Sequence, residues 1–129
     1  MDRSILREYY LIIKNKIAQG RFESAIGSID KLLYNFPNDE YGYYYKGVCE
    51  FALEKYKDSI KHYQMALQFD VGFAKAYFNL GVSLHILKKY DLALLNIGKA
   101  LIIFTKQREL DKKQRCIEAL KIIQNERDM

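Results

Sequence analysis

The sequence of 129 residues has no tryptophan, a single proline (Pro37), seven glycines and two cysteines. Because proline and glycine interrupt helices, their scarcity favours helices joined by short turns. No uncharged stretch approaches the roughly 18 residues that a membrane-spanning helix needs, so none is expected. Cys49 and Cys116 form no CxxC pair, and reduced thiols in a cytosol are the simpler interpretation.

The amino-terminal segment gives the same indication about location. Its first ten residues carry Asp2, Arg3, Arg7 and Glu8 and include no apolar run of the kind found in secretory signals. The sequence therefore predicts a cytoplasmic protein.

Side chains for catalysis and metal binding are also scarce. His62 and His85 are the only histidines; His62 is expected at the surface, and His85 has no carboxylate, serine or cysteine at triad-like spacing. No cluster of metal ligands, glycine-rich phosphate loop, HExxH or GxSxG occurs. We therefore expect no catalytic residue, metal or cofactor, and no enzyme. Four acidic residues at expected turns or outer faces are interpreted as solubilising: Asp30, Asp39, Glu40 and Asp58.

The residues that are plentiful indicate an ordinary globular chain and raise the question of an interface. Half of the residues are hydrophobic and 29% are charged, which is typical of one soluble domain. The 11 tyrosines are notable, because tyrosine combines apolar bulk with a polar tip and is favoured at interfaces. A net charge of +5 weakly favours acidic partners, and the lack of a dense Lys/Arg block argues against nucleic acid.

An internal repeat organises the chain. Residues 43–48 and 77–82 are similar in sequence, and Gly47 and Gly81 occupy the same place in the two segments. Small residues at such positions let neighbouring helices approach closely, whereas a large side chain would overpack the contact. One constant offset relates the residues that we expect to be structural in each repeat: Gly47 and Gly81, Tyr56 and Tyr90, Ala66 and Ala100.

This offset, about 34 residues, and these residue types resemble the tetratricopeptide repeat. Three repeats in phase, over residues 6–39, 40–73 and 74–107, cover about four-fifths of the chain. Six residues differ from the types that the repeat pattern has at their positions: Ile13, Leu32, Lys46, Glu50, Ser59 and Val71. The resemblance implies an all-α fold, a right-handed superhelix of three helix-turn-helix repeats.

The pattern also predicts the helices. Six are expected at 4–18, 22–35, 40–53, 56–69, 74–87 and 90–104. A seventh, at about 108–126, has an apolar stripe of Leu110, Ile117, Leu120 and Ile123 and charged residues on its other face, which suits a capping helix. The whole chain, 1–129, is expected to form a single domain.

The resemblance also implies where a ligand lies. In this family the first helices of the repeats line a concave groove, and here the groove face of those helices is unusually apolar. Aromatic rings beside cations suit a peptide that carries acidic and apolar side chains. The candidate groove residues are Arg7, Tyr10, Lys14, Tyr41, Tyr44, Tyr45, Lys75, Phe78, Asn79, Val82 and His85.

Two tetratricopeptide subfamilies can be compared with this sequence. Co-chaperone domains grip a carboxylate with lysine, asparagine and arginine, but only Lys75 agrees in type among the matching positions, which argues against that clamp. Lys14 and Lys75 remain able to hold an acidic group in another way. The matching positions are Tyr10, Lys14, Tyr45, Lys75 and Asn79. Small secretion chaperones also have three repeats and a final helix, and this chain resembles them in length and topology.

The sequence thus leads to a binding module for a peptide or protein, acting as an adaptor, scaffold or chaperone. Two alternatives stay open. One is a structural role through self-association by the same apolar face. The other is nucleic-acid binding, suggested only by the pI of about 9.1.

Overall fold

The computed structural model describes residues 3–129, so Met1 and Asp2 of the charged amino-terminal segment lie outside the described residues. Residues 3–129 form helices and no strand, which confirms the all-α prediction, and each predicted helix end lies within two residues of the observed one. The helices are α1 (Arg3–Ala18), α2 (Phe22–Asn35), α3 (Glu40–Ala52), α4 (Tyr56–Phe69), α5 (Ala74–Ile86), α6 (Tyr90–Lys106) and α7 (Leu110–Arg127).

The chain divides into two compact units. The first unit, Met1–Phe69, holds α1 to α4, and the second unit, Asp70–Met129, holds α5 to α7. Each unit has its own buried residues, and each is described by itself below.

The turn inside each helix pair is the same in all three repeats. Gly20, Glu54 and Lys88 occupy equivalent repeat positions and have φ angles of 73°, 62° and 61°. The next amide donates back to the preceding helix, as Lys55 N does to Glu50 O at 2.8 Å. This is the Schellman ending of a helix, which needs one residue in the left-handed region. Glycine occupies that region freely, so glutamate and lysine there carry backbone strain.

Glycines set the spacing of the helices in the second and third repeats. A Cβ on Gly47 of α3 would lie 2.6 Å from the ring of Tyr63 on α4, and one on Gly81 of α5 would collide with Ile97 on α6. Tyr63 and Ile97 are themselves buried and occupy equivalent positions of successive repeats. A third close approach, which the sequence did not suggest, places Gly42 against the side chains of Leu32 and Leu33 on α2.

The buried positions of the second helices repeat with the same period. Ala66 and Ala100 are fully buried, and Leu32 fills the equivalent place in the first repeat. Ser59 is fully buried although the repeat pattern has alanine there. Its hydroxyl donates to the carbonyl of Tyr56 at 2.7 Å, which satisfies the polar group inside the core.

A tyrosine fastens the loop between repeats. Pro37 follows the end of α2, and Tyr43 on α3 donates its hydroxyl to the Pro37 carbonyl at 2.7 Å. In the next repeat Tyr77 donates in the same way to the carbonyl of Val71 at 3.1 Å. Val71 can therefore occupy the position that Pro37 has in the preceding repeat, because the tyrosine hydroxyl bonds a backbone carbonyl, which any residue supplies.

The last helix is anchored by a narrower seam than the sequence predicted. Cys116 and Ile123, one heptad apart, are its buried residues, and Ile117 and Leu120 are half-buried. Leu110 is 71% exposed, so the prediction that it belongs to the apolar stripe of this helix was wrong. It lies roughly 120° around the helix from Cys116, too far from the buried seam to reach it.

Candidate functional site

Four tyrosines form a connected cluster in the first unit. Tyr10 comes from α1, and Tyr41, Tyr44 and Tyr45 come from the first turns of α3, where residues three or four apart share a face. The Tyr10 and Tyr41 ring centroids are 5.6 Å apart with the rings edge to face, and Tyr44 and Tyr45 are 5.5 Å apart in the same arrangement. Such edge-to-face contacts are favourable between aromatic rings.

Asp39 holds this tyrosine cluster in place. It is the N-cap of α3, where its Oδ2 accepts from the Gly42 amide at 2.8 Å, and its Oδ1 accepts from the Tyr10 hydroxyl at 2.6 Å. The residue that begins α3 therefore also fixes α1 against it. Asp39 thus has a structural role, beyond the solubilising one that the sequence suggested.

The same surroundings raise the pKa of two of these hydroxyls. Burial, followed by the hydrogen bond to Asp39, raises the pKa of Tyr10 well above its usual value. Burial, and then the neighbouring Tyr44 and Tyr41, raise the pKa of Tyr45 to about 12. Both hydroxyls are therefore neutral at physiological pH, and that of Tyr10 donates to Asp39.

A cleft of about 310 Å³ lies beside the tyrosine cluster. Arg3 and Arg7 are exposed side chains of its lining, and Tyr41 is 43% exposed there. Guanidinium groups next to aromatic rings can hold a carboxylate while the rings cover apolar atoms. The full lining is Arg3, Leu6, Arg7, Tyr10, Asp39, Glu40 and Tyr41.

The other groove candidates of the first unit are placed differently. Lys14 is exposed on α1 and does not line the cleft. Tyr44 is half-buried, with its ring 6.0 Å from the ring of the buried core residue Tyr63. Tyr44 therefore supports the core of the helix pair as well as the cluster.

In the second unit the candidates lie on α5. Lys75 is exposed, while Phe78, Asn79 and Val82 are half-buried. His85 differs, because its Nε2 lies 2.5 Å from Oε2 of Glu126 on α7. That contact ties α5 to the last helix across 41 residues of sequence, a separation at which no local motif could have indicated it.

The family assignment follows from the sequence itself. A model of the tetratricopeptide repeat matches residues 10–72. Residues 10–72 carry tetratricopeptide repeats. No curated protein sequence matches it at a significant level.

Solved structures share this tetratricopeptide fold over nearly the whole chain. The Yersinia enterocolitica type III secretion translocator chaperone SycD superposes with a TM-score of 0.92 at 18% identity, covering 100% of this chain and 90% of that one. A type III secretion complex from Aeromonas hydrophila gives 0.93 at 18% identity, covering 99% and 86%. The TPR2B domain of yeast Sti1, in complex with pHsp70, gives 0.88 at 17% identity, covering 94% and 97%.

A polar pair within the tetratricopeptide repeats was missed by sequence reasoning. His62 on α4 was expected at the surface, but its Nδ1 lies 2.6 Å from Oε1 of the buried Glu50 on α3. The His62 ring also stacks on Tyr43, with centroids 6.4 Å apart. Glu50 stands where the next repeat has Leu84, so a carboxylate at an apolar repeat position was the signal of a buried partner.

Two kinds of feature were looked for in the described residues, a metal site and a membrane-spanning helix. Within residues 3–129 no three histidine, cysteine or carboxylate side chains come together as a metal site. None of the helices in that range is both long and apolar enough to cross a bilayer.

Proposed function

We propose that this chain is a non-enzymatic protein-binding module, an adaptor, scaffold or chaperone, that holds a peptide or a segment of another protein. The tyrosine cluster beside the arginine-lined cleft carries the proposal, because a partly exposed aromatic wall next to cations is built for contact with another molecule. The fold supports it. PcrH, at a TM-score of 0.90, was solved with the chaperone binding region of PopD, and SycD with a peptide of the translocator YopD.

The contacts are proposed on the first helix of each repeat. In the first unit, Tyr41 and Arg7 meet the ligand at the cleft, and Lys14 adds a cation on the same helix as Arg7. In the second unit, Phe78 and Val82 of α5 offer half-buried apolar surface, with Lys75 beside them. The remaining proposed contacts are Tyr10, Tyr44, Tyr45, Asn79 and His85.

The arginines of the cleft favour a ligand with acidic and apolar side chains. Of the two carboxylates in the lining, Asp39 and Glu40, Asp39 already accepts from Tyr10 and Gly42. An aspartate or glutamate can accept from Arg3 or Arg7, whose planar guanidinium groups bind carboxylates in two-point fashion. An apolar side chain placed next to it can cover Leu6 and the Tyr41 ring. We expect an affinity in the micromolar range, about −8 kcal/mol.

Affinity capture from native cell extract tests this function with Tyr41→Ala and a matched control. Tyr34→Ala removes a tyrosine of the same unit that is 89% exposed and lies outside the cluster. A protein retained by wild type and Tyr34→Ala but lost with Tyr41→Ala supports the proposal. Equal retention by all three, or retention of nothing, overturns the cleft as the binding site. Phe78→Ala tests the α5 contact separately.

Self-association is the second candidate, favoured by the outer face of α1. Ile5, Leu11 and Ile12 are exposed there, and a helix with exposed aliphatic side chains on one face tends to find a partner. SycD has been solved as an alternative dimer, at a TM-score of 0.91. Light scattering over a range of concentrations decides it, because a monomer at every concentration removes this candidate.

The cysteines bear on the proposed location. Cys49 and Cys116 are both free and buried, so neither contributes a disulfide to stability. Unpaired buried thiols are ordinary in reducing compartments. We therefore propose that the protein works in the cytoplasm, which localisation of a tagged chain in its own cells can test.

A further inference from the structure

The outer face of α6, in the second unit, carries an apolar seam that the packing of the helix does not require. Leu92, Leu95 and Ile102 are 50%, 53% and 57% exposed. They lie opposite the core face of the same helix, which is made by Ala93, Ile97, Ala100 and Phe104. A helix that is apolar on two opposite faces covers its second face with something else.

The spacing of this face is that of a helix-packing seam. Leu92, Leu95, Lys99, Ile102 and Lys106 follow one another at intervals of three, four, three and four residues. This is the a/d pattern by which one helix inserts its side chains between those of another. It extends over two heptads, roughly 20 Å of helix. We call these five residues the α6 seam.

The repeat supplies an internal control for the α6 seam. The positions one repeat before Leu92, Leu95 and Ile102 lie on α4 and hold polar side chains, and those on α2 hold none that is aliphatic. A tetratricopeptide hairpin therefore folds without aliphatic residues at these places, so their presence on α6 alone indicates an added contact. The α4 residues are Asp58, Lys61 and Gln68, and the α2 residues are Ser24, Gly27 and Tyr34.

The charges decide what covers the α6 seam. Lys99 lies at its middle and Lys106 at its carboxyl-terminal end, and Lys99 also lies over the Tyr77 ring, 5.6 Å from its centroid. The acidic residue near the other end, Asp91, is paired with Arg127 at 3.2 Å. The seam is thus apolar at its beginning and cationic at its end, and its complement is apolar at one end and acidic at the other.

The α6 seam of a second copy of this chain does not provide that complement. Parallel pairing of two α6 helices brings Lys99 against Lys99 and Lys106 against Lys106, and antiparallel pairing centred on the seam again brings the two Lys99 side chains together. Like charges at facing seam positions disfavour both arrangements. We propose that the α6 seam binds an amphipathic helix of another protein, with aliphatic residues facing Leu92 and Leu95 and glutamate or aspartate facing Lys99 and Lys106.

The test uses the intact chain and synthetic helical peptides of about three heptads. Two acidic peptides are made, each with leucine at the seam positions of one half and glutamate at those of the other half. The peptide with glutamates in its first half suits antiparallel pairing, and the peptide with glutamates in its second half suits parallel pairing. In the control peptides lysine replaces those glutamates. Binding is measured by fluorescence anisotropy.

Two variants of the chain complete the design. The triple variant L92D/L95K/I102Q places on α6 the residues that α4 has at the same repeat positions, which the hairpin is known to accommodate. The control Leu110→Gln removes an exposed leucine of α7 that lies outside the α6 seam. Circular dichroism checks that both remain helical.

We expect one acidic peptide to bind wild type and Leu110→Gln about tenfold or more tightly than it binds the triple variant. We also expect K99E/K106E to prefer the lysine peptide, because the charges are exchanged. The proposal is overturned if no acidic peptide binds wild type, if acidic and lysine peptides bind equally, or if the triple variant binds as well as wild type. A wild-type dimer, or binding to phosphatidylserine vesicles, that the triple variant alone loses also overturns it.

Discussion

The buried Glu50 pairs with the partly exposed His62 in the first unit, with the carboxylate Oε1 2.6 Å from the imidazole Nδ1. The equivalent positions of the next repeat hold Leu84 and Asn96, so two neighbouring repeats fill the same place in different ways. In one repeat a leucine is buried, and in the other a carboxylate is buried because an imidazole satisfies it.

Replacing His62 by the asparagine of the next repeat tests this dependence. His62→Asn leaves Glu50 buried without its partner, which we expect to lower the free energy of unfolding by about 1–3 kcal/mol. Adding Glu50→Leu removes the buried carboxylate, and the double variant is expected to be at least as stable as wild type. Urea unfolding of the two variants and wild type measures both effects. A double variant no more stable than His62→Asn contradicts the account.

The close approach at Gly81 predicts opposite effects at two glycines of the second unit. Gly81→Ala drives a methyl group into Ile97 and close to the Ala93 carbonyl, which we expect to cost about 1–3 kcal/mol of stability. Gly98 lies in α6 with nothing within 4 Å of its Cβ position. Gly98→Ala is therefore expected to stabilise by about 0.5–1 kcal/mol through helix propensity alone. Thermal unfolding compares them, and a shift in the same direction for both rejects the explanation.

The strained hairpin turns predict gains from glycine. Lys88 has a φ of 61° at the position that Gly20 fills in the first repeat. Lys88→Gly relieves that conformation, and we expect a gain of about 0.5–1 kcal/mol even though glycine increases the freedom of the unfolded chain. Gly20→Ala is the matched reverse change and is expected to destabilise. Unchanged melting temperatures for both variants would show that these turns carry no strain.

The tyrosine cluster predicts a loss of stability in alkaline solution. The pKa of Tyr45 is raised from the ordinary value of 10.0 to about 12 in the folded chain, and that of Tyr10 is raised as well. Because the folded pKa lies above the unfolded one, the stabilisation is fully present below about pH 10 and is lost as the pH rises towards 12. Urea unfolding at several alkaline pH values measures the slope.

Phenylalanine variants assign that slope to residues. Tyr45→Phe and Tyr10→Phe each remove one ionisable hydroxyl and should flatten the alkaline loss, whereas Tyr34→Phe changes an exposed tyrosine outside the cluster and should leave it unchanged. Tyr10→Phe also removes the hydrogen bond to Asp39, so it is expected to be less stable at neutral pH. An unaltered slope in both cluster variants excludes these hydroxyls as its cause.

The helices were predictable because their signals are local and recur. Gly47 and Gly81, Tyr56 and Tyr90, and the break at Pro37 all fall within one turn or one helix of the feature they mark. The constant period repeats each signal, so an error in one repeat is corrected by the next.

The contacts between helices were less predictable, because the period says nothing about which polar groups meet. Tyr10 and Asp39 are 29 residues apart and His85 and Glu126 are 41 apart, neither of which is the repeat length. Asp39 could have been recognised as an N-cap, but its second bond depends on the angle between α1 and α3. Such pairings are set by packing geometry, which composition and spacing do not encode.

The buried cysteines allow the local unfolding of each unit to be measured separately. Burial, with Glu50 adding to it, raises the pKa of Cys49 to about 12, and burial also raises the pKa of Cys116. A thiol that is both enclosed and protonated reacts with an alkylating reagent only when its surroundings open. With one such thiol in each unit, the two labelling rates compare the local unfolding of the two halves within a single unmodified molecule.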